Sequence, residues 1–245
     1  MEVLRFQTFV NKLINLKSRI SDMQLIALFS GGKDSLFAIK KAIEQGHEIK
    51  YLATIHSKNP DSYMYHTPNI GLTLLQSRCL NIQLVSKESS GEKEKEVKDL
   101  EILLNNLEAD GVVCGAIASK YQKERVERVC ENLRLKLLTP LWGMNQEELL
   151  KEIIKSGFEV IITAVAAEGF DESWLGRKID EKCIEDLIQL NKKYGISVLG
   201  EGGEYESLAL DCPLFNKKIE ITKAEKIWKS NAGILEIKDA RLVNK

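Results

Sequence analysis

Six consecutive residues, Ser30-Gly31-Gly32-Lys33-Asp34-Ser35, carry the pattern best suited to chemistry. Adjacent glycines let a backbone turn tightly and aim successive N–H groups at one anion. Lys33 adds a point charge for phosphate, and the hydroxyls of Ser30 and Ser35 put donors at either end. The hexapeptide follows an apolar run at 25–29. It precedes a helical pattern through Leu36, Ala38, Ile39 and Ile43 that stops at Gly46. Such a strand–turn–helix junction sets a helix N-terminus beyond the carboxyl end of a strand, where open α/β sheets take anionic ligands. The string is not a Walker A loop, because position 27 is Ala and Asp34 follows the lysine, and it contains no GxGxxG fingerprint. A Gly-Gly turn that merely caps a helix is the plain alternative. The lysine and the preceding apolar strand favour phosphate binding.

The elements around this loop alternate. Apolar runs at 25–29, 49–55, 82–85, 112–117 and 135–138 read as strands. Between them lie helical patterns after Gly32, at 67–80 with Thr67-Pro68 at its start, at 93–107 and at 120–133. Five strands joined through helices imply a parallel sheet covered on both faces. Residues 1–22 have helical periodicity, and 56–66 form a polar stretch. The character changes after Pro140-Leu141-Trp142-Gly143. Asn145 with Glu148 three residues on resembles a capping box for a helix ending at Gly157. A strand at 160–165 and a helix at 180–194 follow. Strands are then expected at 208–210, 217–221, 225–229 and 235–240, with a turn at 231–233. The expected fold class is α/β, a five-stranded parallel sheet sandwiched by helices with a second, smaller α+β domain. The expected boundary divides 1–143 from 144–245.

Composition narrows the function class. Of 245 residues, 44% are hydrophobic and 29% charged, which suits a globular protein rather than a disordered one. Lys and Arg number 35 against 36 Asp and Glu, a formal charge of -1 that does not suggest nucleic-acid binding by bulk electrostatics. No apolar run approaches the roughly 18 residues of a membrane span, and the charged N-terminus is unlike a secretory signal. The five cysteines (Cys79, Cys114, Cys130, Cys183 and Cys212) form no CxxC pair, so a reducing, cytoplasmic location is expected.

The hexapeptide resembles the pyrophosphate loop of ATP pyrophosphatases in the adenine-nucleotide alpha-hydrolase superfamily. Other stretches narrow the resemblance. They are Ser62-Tyr63-Met64-Tyr65-His66-Thr67, Gly115-Ala116-Ile117 with Ser119-Lys120-Tyr121-Gln122 and Arg125-Val126-Glu127, Pro140-Leu141-Trp142, Trp174-Leu175-Gly176-Arg177, and Glu201-Gly202-Gly203-Glu204-Tyr205-Glu206-Ser207. Together they resemble the diphthine–ammonia ligase (diphthamide synthetase) family. The resemblance implies ATP-dependent amidation of diphthine on translation elongation factor 2 with free ammonia. An acyl-adenylate forms on the way, and AMP and pyrophosphate are released. ATP and magnesium are the implied cofactors.

On that resemblance Lys33, Asp34 and Ser35 are the catalytic candidates, and the whole loop from Ser30 through Gly31 and Gly32 holds phosphates. Asp34 could orient the loop, reach a metal, or simply face the helix dipole as a first-turn carboxylate. Adenosine is expected near Ala53–His56 and Gly115, where a missing side chain would permit close approach or a strand-end turn. Diphthine carries a carboxylate and a trimethylammonium, so its pocket calls for aromatic faces and carboxylates. Tyr63, Tyr65, Trp174 and Tyr205 with Glu201, Glu204 and Glu206 are the available set, the Gly202-Gly203 turn bringing the glutamates over the ATP site. Trp174 in the core and the glutamates on a solvated hairpin is the alternative. Arg177 could receive a phosphate or carboxylate or pair with a surface acid. Gln122, Arg125 and His66 complete the substrate candidates; Arg125 with Arg128 could equally be a solvated stripe. His47 reads as a surface residue and Cys114 as a buried small hydrophobe. A thiolating, RNA-modifying pyrophosphatase and a non-catalytic ATP sensor are the competing functions; lack of CxxC counts against the first and the glutamate-rich loop against the second.

Overall fold

A computed structural model describes residues 23–57 and 69–245. The expected N-terminal helix, the Thr67-Pro68 helix start, and Tyr63, Tyr65 and His66 lie outside the described residues. The first half builds β1 (Gln24–Leu28), α1 (Lys33–Glu44), β2 (Glu48–Ser57), α2 (Thr73–Leu80), β3 (Gln83–Ser89), α3 (Lys93–Asn105), β4 (Gly111–Val113), α4 (Lys120–Leu133) and β5 (Lys136–Leu138). The strands form one sheet in the order β3-β2-β1-β4-β5, with every neighbouring pair parallel. β1 is a continuous apolar run because both its faces are covered: Leu25 and Ala27 join the core on the α1 side, and Ile26 joins the core under α3 and α4. The strand order reverses between β1 and β4. That reversal opens a crevice at their carboxyl ends.

The second half builds α5 (Gln146–Lys155), β6 (Glu159–Val165), α6 (Glu181–Tyr194), β7 (Tyr205–Asp211), β8 (Lys218–Lys229) and β9 (Ala232–Val243). Its four strands pair in the order β7-β6-β9-β8, and each pairing is antiparallel. The side chains of Asn145 and Asp180 cap α5 and α6 by accepting from the N–H groups of Glu148 and Cys183. One apolar core runs from the α1 face of the first sheet into α5, β6 and β7. Phe37 of α1 meets Phe158 edge-on at 5.7 Å, and Lys41 reaches Glu152 at 2.6 Å. The second sheet is thereby seated with β7 against the loop that leaves β1.

Several expectations change. β4 ends at Val113 rather than 117, because the chain leaves the sheet there to run beside the first turn of α1. The strands expected at 217–221 and 225–229 are one strand, interrupted only by register shifts around Lys223. The hairpin turn is Ser230-Asn231, with Ser230 at φ +54°. Gly233 belongs to β9, where a Cβ would lie 2.3 Å from the Trp228 ring. His47 is buried rather than exposed, its Nδ1 accepting from the Met23 N–H.

Candidate active site

The loop after β1 is shaped by its glycine and by contacts from two other elements. Gly31 takes φ +79°, a left-handed conformation that favours glycine. Its carbonyl accepts from the Ala209 N–H of β7 at 3.1 Å and from the Gln76 amide of α2 at 2.8 Å. Gln76 is fully buried and also donates to the Ala209 carbonyl at 2.9 Å, so one amide ties α2, the loop and β7 together. Ser207 Oγ accepts from the Lys33 N–H, and Ser30 Oγ from the Gly32 N–H. α1 has no side-chain cap at its N-terminus, where Gly32 stands. Gly115 does make a close approach, but to protein: a Cβ there would lie 2.9 Å from the backbone of Asp34 and Ser35.

Lys33 is buried, which the expectation of a phosphate-facing point charge did not include. Its ammonium donates to the Leu199 carbonyl at 2.7 Å and to Asp34 Oδ2 at 2.9 Å, and it sits 5.0 Å from the centre of the Tyr205 ring. Burial alone would depress this ammonium. The charge of Asp34, with Tyr205, the Asp34 hydrogen bond and Glu201 adding, outweighs burial and holds its pKa above the ordinary lysine value. Burial keeps the Tyr205 phenol protonated, so Asp34 is the anion that counts.

Two adjoining clefts meet at Ser30, Asp34, Gln122 and Glu201. The larger, about 830 Å³ with its open mouth included, lies at the β1/β4 reversal. Phe29, Ala53, Ile55, Leu100 and Val126 give it apolar walls, and Gly115 lies at its edge. Flat apolar walls beside a helix N-terminus suit a nucleoside with its phosphates. Cys114 also lines this cleft; burial pushes its thiol up to about 11, which leaves it a poor nucleophile. The smaller cleft is polar and lies between the loop and the β6/β7 wall, with Lys33, Thr163, Glu201, Tyr205, Glu206 and Ser207 around it.

Glu201 borders both clefts and accepts from the Ala118 N–H at 3.0 Å. Burial, reinforced by Asp34, raises its carboxyl above the ordinary glutamate range against the opposing pull of backbone N–H groups and Lys33. Among the described residues Asp34 Oδ1 is buried without a partner, while Oδ2 serves Lys33. An orphaned carboxylate oxygen beside a phosphate-sized cleft fits a magnesium ion, which takes one or two protein carboxylates and leaves its other positions to phosphate and water. Among the described residues no group of three or more His, Cys, Asp or Glu forms a denser metal site.

Other site candidates stand elsewhere. Trp174 is buried against Phe170, edge-on at 4.9 Å, with the Arg177 guanidinium stacked 4.4 Å from its centre. Arg177 pairs in turn with Asp186. This unit packs in the second half's core and lines neither cleft. Arg125 stacks 3.5 Å over the Tyr121 ring and, like Arg128, bonds Glu94 of α3, so both arginines tie α4 to α3 instead of reaching a ligand. His56 lies on β2 opposite Glu88, outside both clefts. Glu204 curls back within its own loop, accepting from the N–H groups of Ser197 and Gly202 at 2.8 Å each. Gly203 makes that curl at φ +83°, and Gly202 and Gly203 line neither cleft. The Tyr205 ring is taken by Lys33 and its hydroxyl by the Val198 carbonyl, so it offers no open aromatic face.

Sequence reasoning passed over Gln76, Thr163 and the Leu199 carbonyl. A glutamine inside a helix carries no local signal, and a backbone acceptor carries none at all. Thr163 stood within an apolar strand pattern as its one hydroxyl, a signal that could have been read.

Family models match both halves of the chain. The diphthamide synthase N-terminal domain covers residues 23–137, and the diphthamide synthase C-terminal domain covers 145–243. Relatives carrying the name diphthine–ammonia ligase include the Rattus norvegicus protein, 40% identical over 90% of this chain and 91% of its own length. The Homo sapiens protein is 40% identical over 83% of this chain and 84% of its own. The Schizosaccharomyces pombe protein is 36% identical over 88% of this chain, which spans 39% of that relative's length. The chain belongs to the diphthamide synthase family.

Proposed function

We propose that this chain is a diphthine–ammonia ligase that uses ATP to activate the diphthine carboxylate on translation elongation factor 2. The observation that supports this best is the Ser30–Ser35 loop at the β1/β4 reversal, facing a second, carboxylate-lined cleft across β7. A nucleoside in the apolar cleft puts its phosphates at the loop's N–H groups and the α1 N-terminus. A carboxylate oxygen then attacks the α-phosphorus; the bond to the β-phosphate oxygen breaks and pyrophosphate leaves. Ammonia attacks the acyl carbon and AMP leaves as the amide forms.

In this reading the donors around the loop stabilise the charge that develops on pyrophosphate. Lys33 acts from within the wall, its positive charge held in place by Leu199, Asp34 and Tyr205. Asp34 Oδ1 would hold magnesium, which supplies charge neutralisation at the phosphates. Residues 1–143 serve the nucleotide and 144–245 the acyl substrate. Glu201 and Glu206 answer the positive charge of the trimethylammonium, and Tyr63, Tyr65 and His66 are the ring candidates to flank it. Five free cysteines and the absence, among the described residues, of a helix long and apolar enough to cross a membrane suit work in the cytoplasm.

The test is incubation with ATP, magnesium, ammonium and diphthine-bearing elongation factor 2, followed by mass spectrometry of the factor. The proposal expects a product about 1 Da lighter, from replacing OH by NH2, with one AMP released per amide. Amide formed with ADP as the spent nucleotide would overturn it.

A further inference from the structure

Ser207 reaches the loop after β1 from 174 residues away, its Oγ accepting from the Lys33 N–H at 3.3 Å. It lies over the second glycine of the loop. A Cβ on Gly32 would stand 3.2 Å from the Ser207 carbonyl oxygen and 3.4 Å from its Oγ. The strand fixes this placement: Ser207 pairs with Ile162 of β6, and two residues on the Ala209 N–H donates to the Gly31 carbonyl at 3.1 Å. β7 therefore grips the loop at two successive points.

The three hydroxyls at the loop are used differently. Ser30 Oγ donates to Ser35 Oγ at 3.3 Å, and Ser35 Oγ donates to the Gly32 carbonyl at 3.1 Å, so the loop's own serines direct their protons inward. A hydroxyl carries one proton and two lone pairs. Ser207 uses a lone pair on the Lys33 N–H, which leaves its proton to donate. Gly32 at the N-cap of α1 has no side chain to cap the helix, and Ser207 takes that role from a distant strand. A chain running from helix N–H to hydroxyl to acceptor polarises each bond in the direction of the helix dipole. An anion is the acceptor that gains most from it.

Position selects which part of the nucleotide this is. Ser30, Asp34, Gln122 and Glu201 border both clefts, whereas Gly32, Lys33 and Ser207 line the polar one and not the apolar one. With the nucleoside in the apolar cleft, the α-phosphate falls at the junction and the phosphates beyond it extend to the Gly32–Ser207 side. We propose that the Ser207 hydroxyl relays the positive end of α1 to the β- and γ-phosphates of ATP, an inference that rests on the ligase reading for the nucleotide. As the bond between the α-phosphorus and the bridging oxygen breaks, its electrons pass to pyrophosphate. The Ser207 hydroxyl keeps its proton and strengthens its hydrogen bond to the leaving group.

Equilibrium dialysis of the full chain with magnesium and either ATP or AMP tests this, because AMP lacks the two terminal phosphates. Ser207→Ala should weaken ATP binding about tenfold, the usual effect of losing one hydrogen bond to a charged group, and leave AMP binding within about twofold of the parent. Ser207→Thr keeps the hydroxyl on a residue that suits a strand, and should hold ATP binding within about threefold. Unaltered ATP binding in Ser207→Ala would overturn the proposal. So would equal weakening of ATP and AMP, which would make Ser207 a cap that only shapes the loop. ATP–pyrophosphate exchange with diphthine-bearing elongation factor separates this from the ligase reading. No exchange by a parent protein that binds ATP would overturn that reading, while the contrast between ATP and AMP still decides the role of Ser207. No ATP binding by the parent protein would overturn both.

Discussion

Gly31 and Gln76 should be energetically coupled. A methyl group at Gly31 would meet Gln76 Oε1 at 2.1 Å, and the backbone there has φ +79°. Gly31→Ala therefore pays twice. The left-handed conformation costs an L-residue about 1–2 kcal/mol. Displacing the Gln76 amide breaks its bonds to Gly31 and Ala209, at about 1 kcal/mol each. The expected loss is about 3–4 kcal/mol in all. Gln76→Ala alone loses the same two bonds and leaves a small cavity, about 3 kcal/mol. In the double variant the clash is gone, so only the conformational cost adds to the Gln76 loss, about 4–5 kcal/mol. The coupling is thus about 2 kcal/mol, far above the few tenths expected for independent sites. Urea unfolding of the four proteins, followed by tryptophan fluorescence, measures it. Losses that add without coupling would refute the account of how the loop is held.

Three further outcomes are expected. Glu204→Ala should lose about 2 kcal/mol of stability in urea and most amide formation, because two N–H groups lose a carboxylate acceptor and the turn that presents Glu201 opens; an unchanged urea midpoint would return Glu204 to contact with substrate. Arg177→Ala should cost about 1 kcal/mol through the lost Trp174 stack and a partly exposed ion pair, with ATP–pyrophosphate exchange within about twofold of the parent. A tenfold loss of exchange would put Arg177 back in the site. The folded chain binds the Glu201 proton more tightly than the unfolded chain does, so stability falls as pH rises from the ordinary value of 4.5 through the raised folded one. Glu201→Gln should accordingly melt higher than the parent above that window and lose the advantage toward pH 4, and a melting difference that ignores pH would contradict the assignment.

The first sheet was readable because its central strands β1 and β4 are buried on both faces and appear as short apolar runs, and because amphipathic helices set the strands apart. The expected bounds of the helix at 120–133 match those of α4, and the Asn145/Glu148 spacing marks the cap of α5. The loop after β1 was readable as a strand–turn–helix junction for the same local reason, since adjacent glycines between an apolar run and a helical pattern mark a tight turn. What failed to show is what depends on contact across the chain. Glu201 and Glu204 are three residues apart in one motif, but only the curl at Gly203 decides that one carboxylate faces the clefts and the other turns inward. Trp174 was a candidate aromatic face for the trimethylammonium and Arg177 a candidate partner for a phosphate or carboxylate, with core packing and a surface acid as their alternatives. They serve each other, and Phe170 and Asp186 complete the unit. Gln76 acts through partners 45 and 133 residues away, and Thr163 sits at a bulge, neither of which periodicity records.

Isotope transfer is the most direct probe of carboxylate activation at the α-phosphorus. Diphthine-bearing elongation factor labelled with oxygen-18 in the diphthine carboxylate would be converted with ATP and ammonium, and the spent nucleotide weighed. Attack by the carboxylate predicts one labelled oxygen in the phosphate of AMP and none in pyrophosphate. Label in inorganic phosphate beside ADP, or unlabelled AMP alongside labelled amide product, would contradict it.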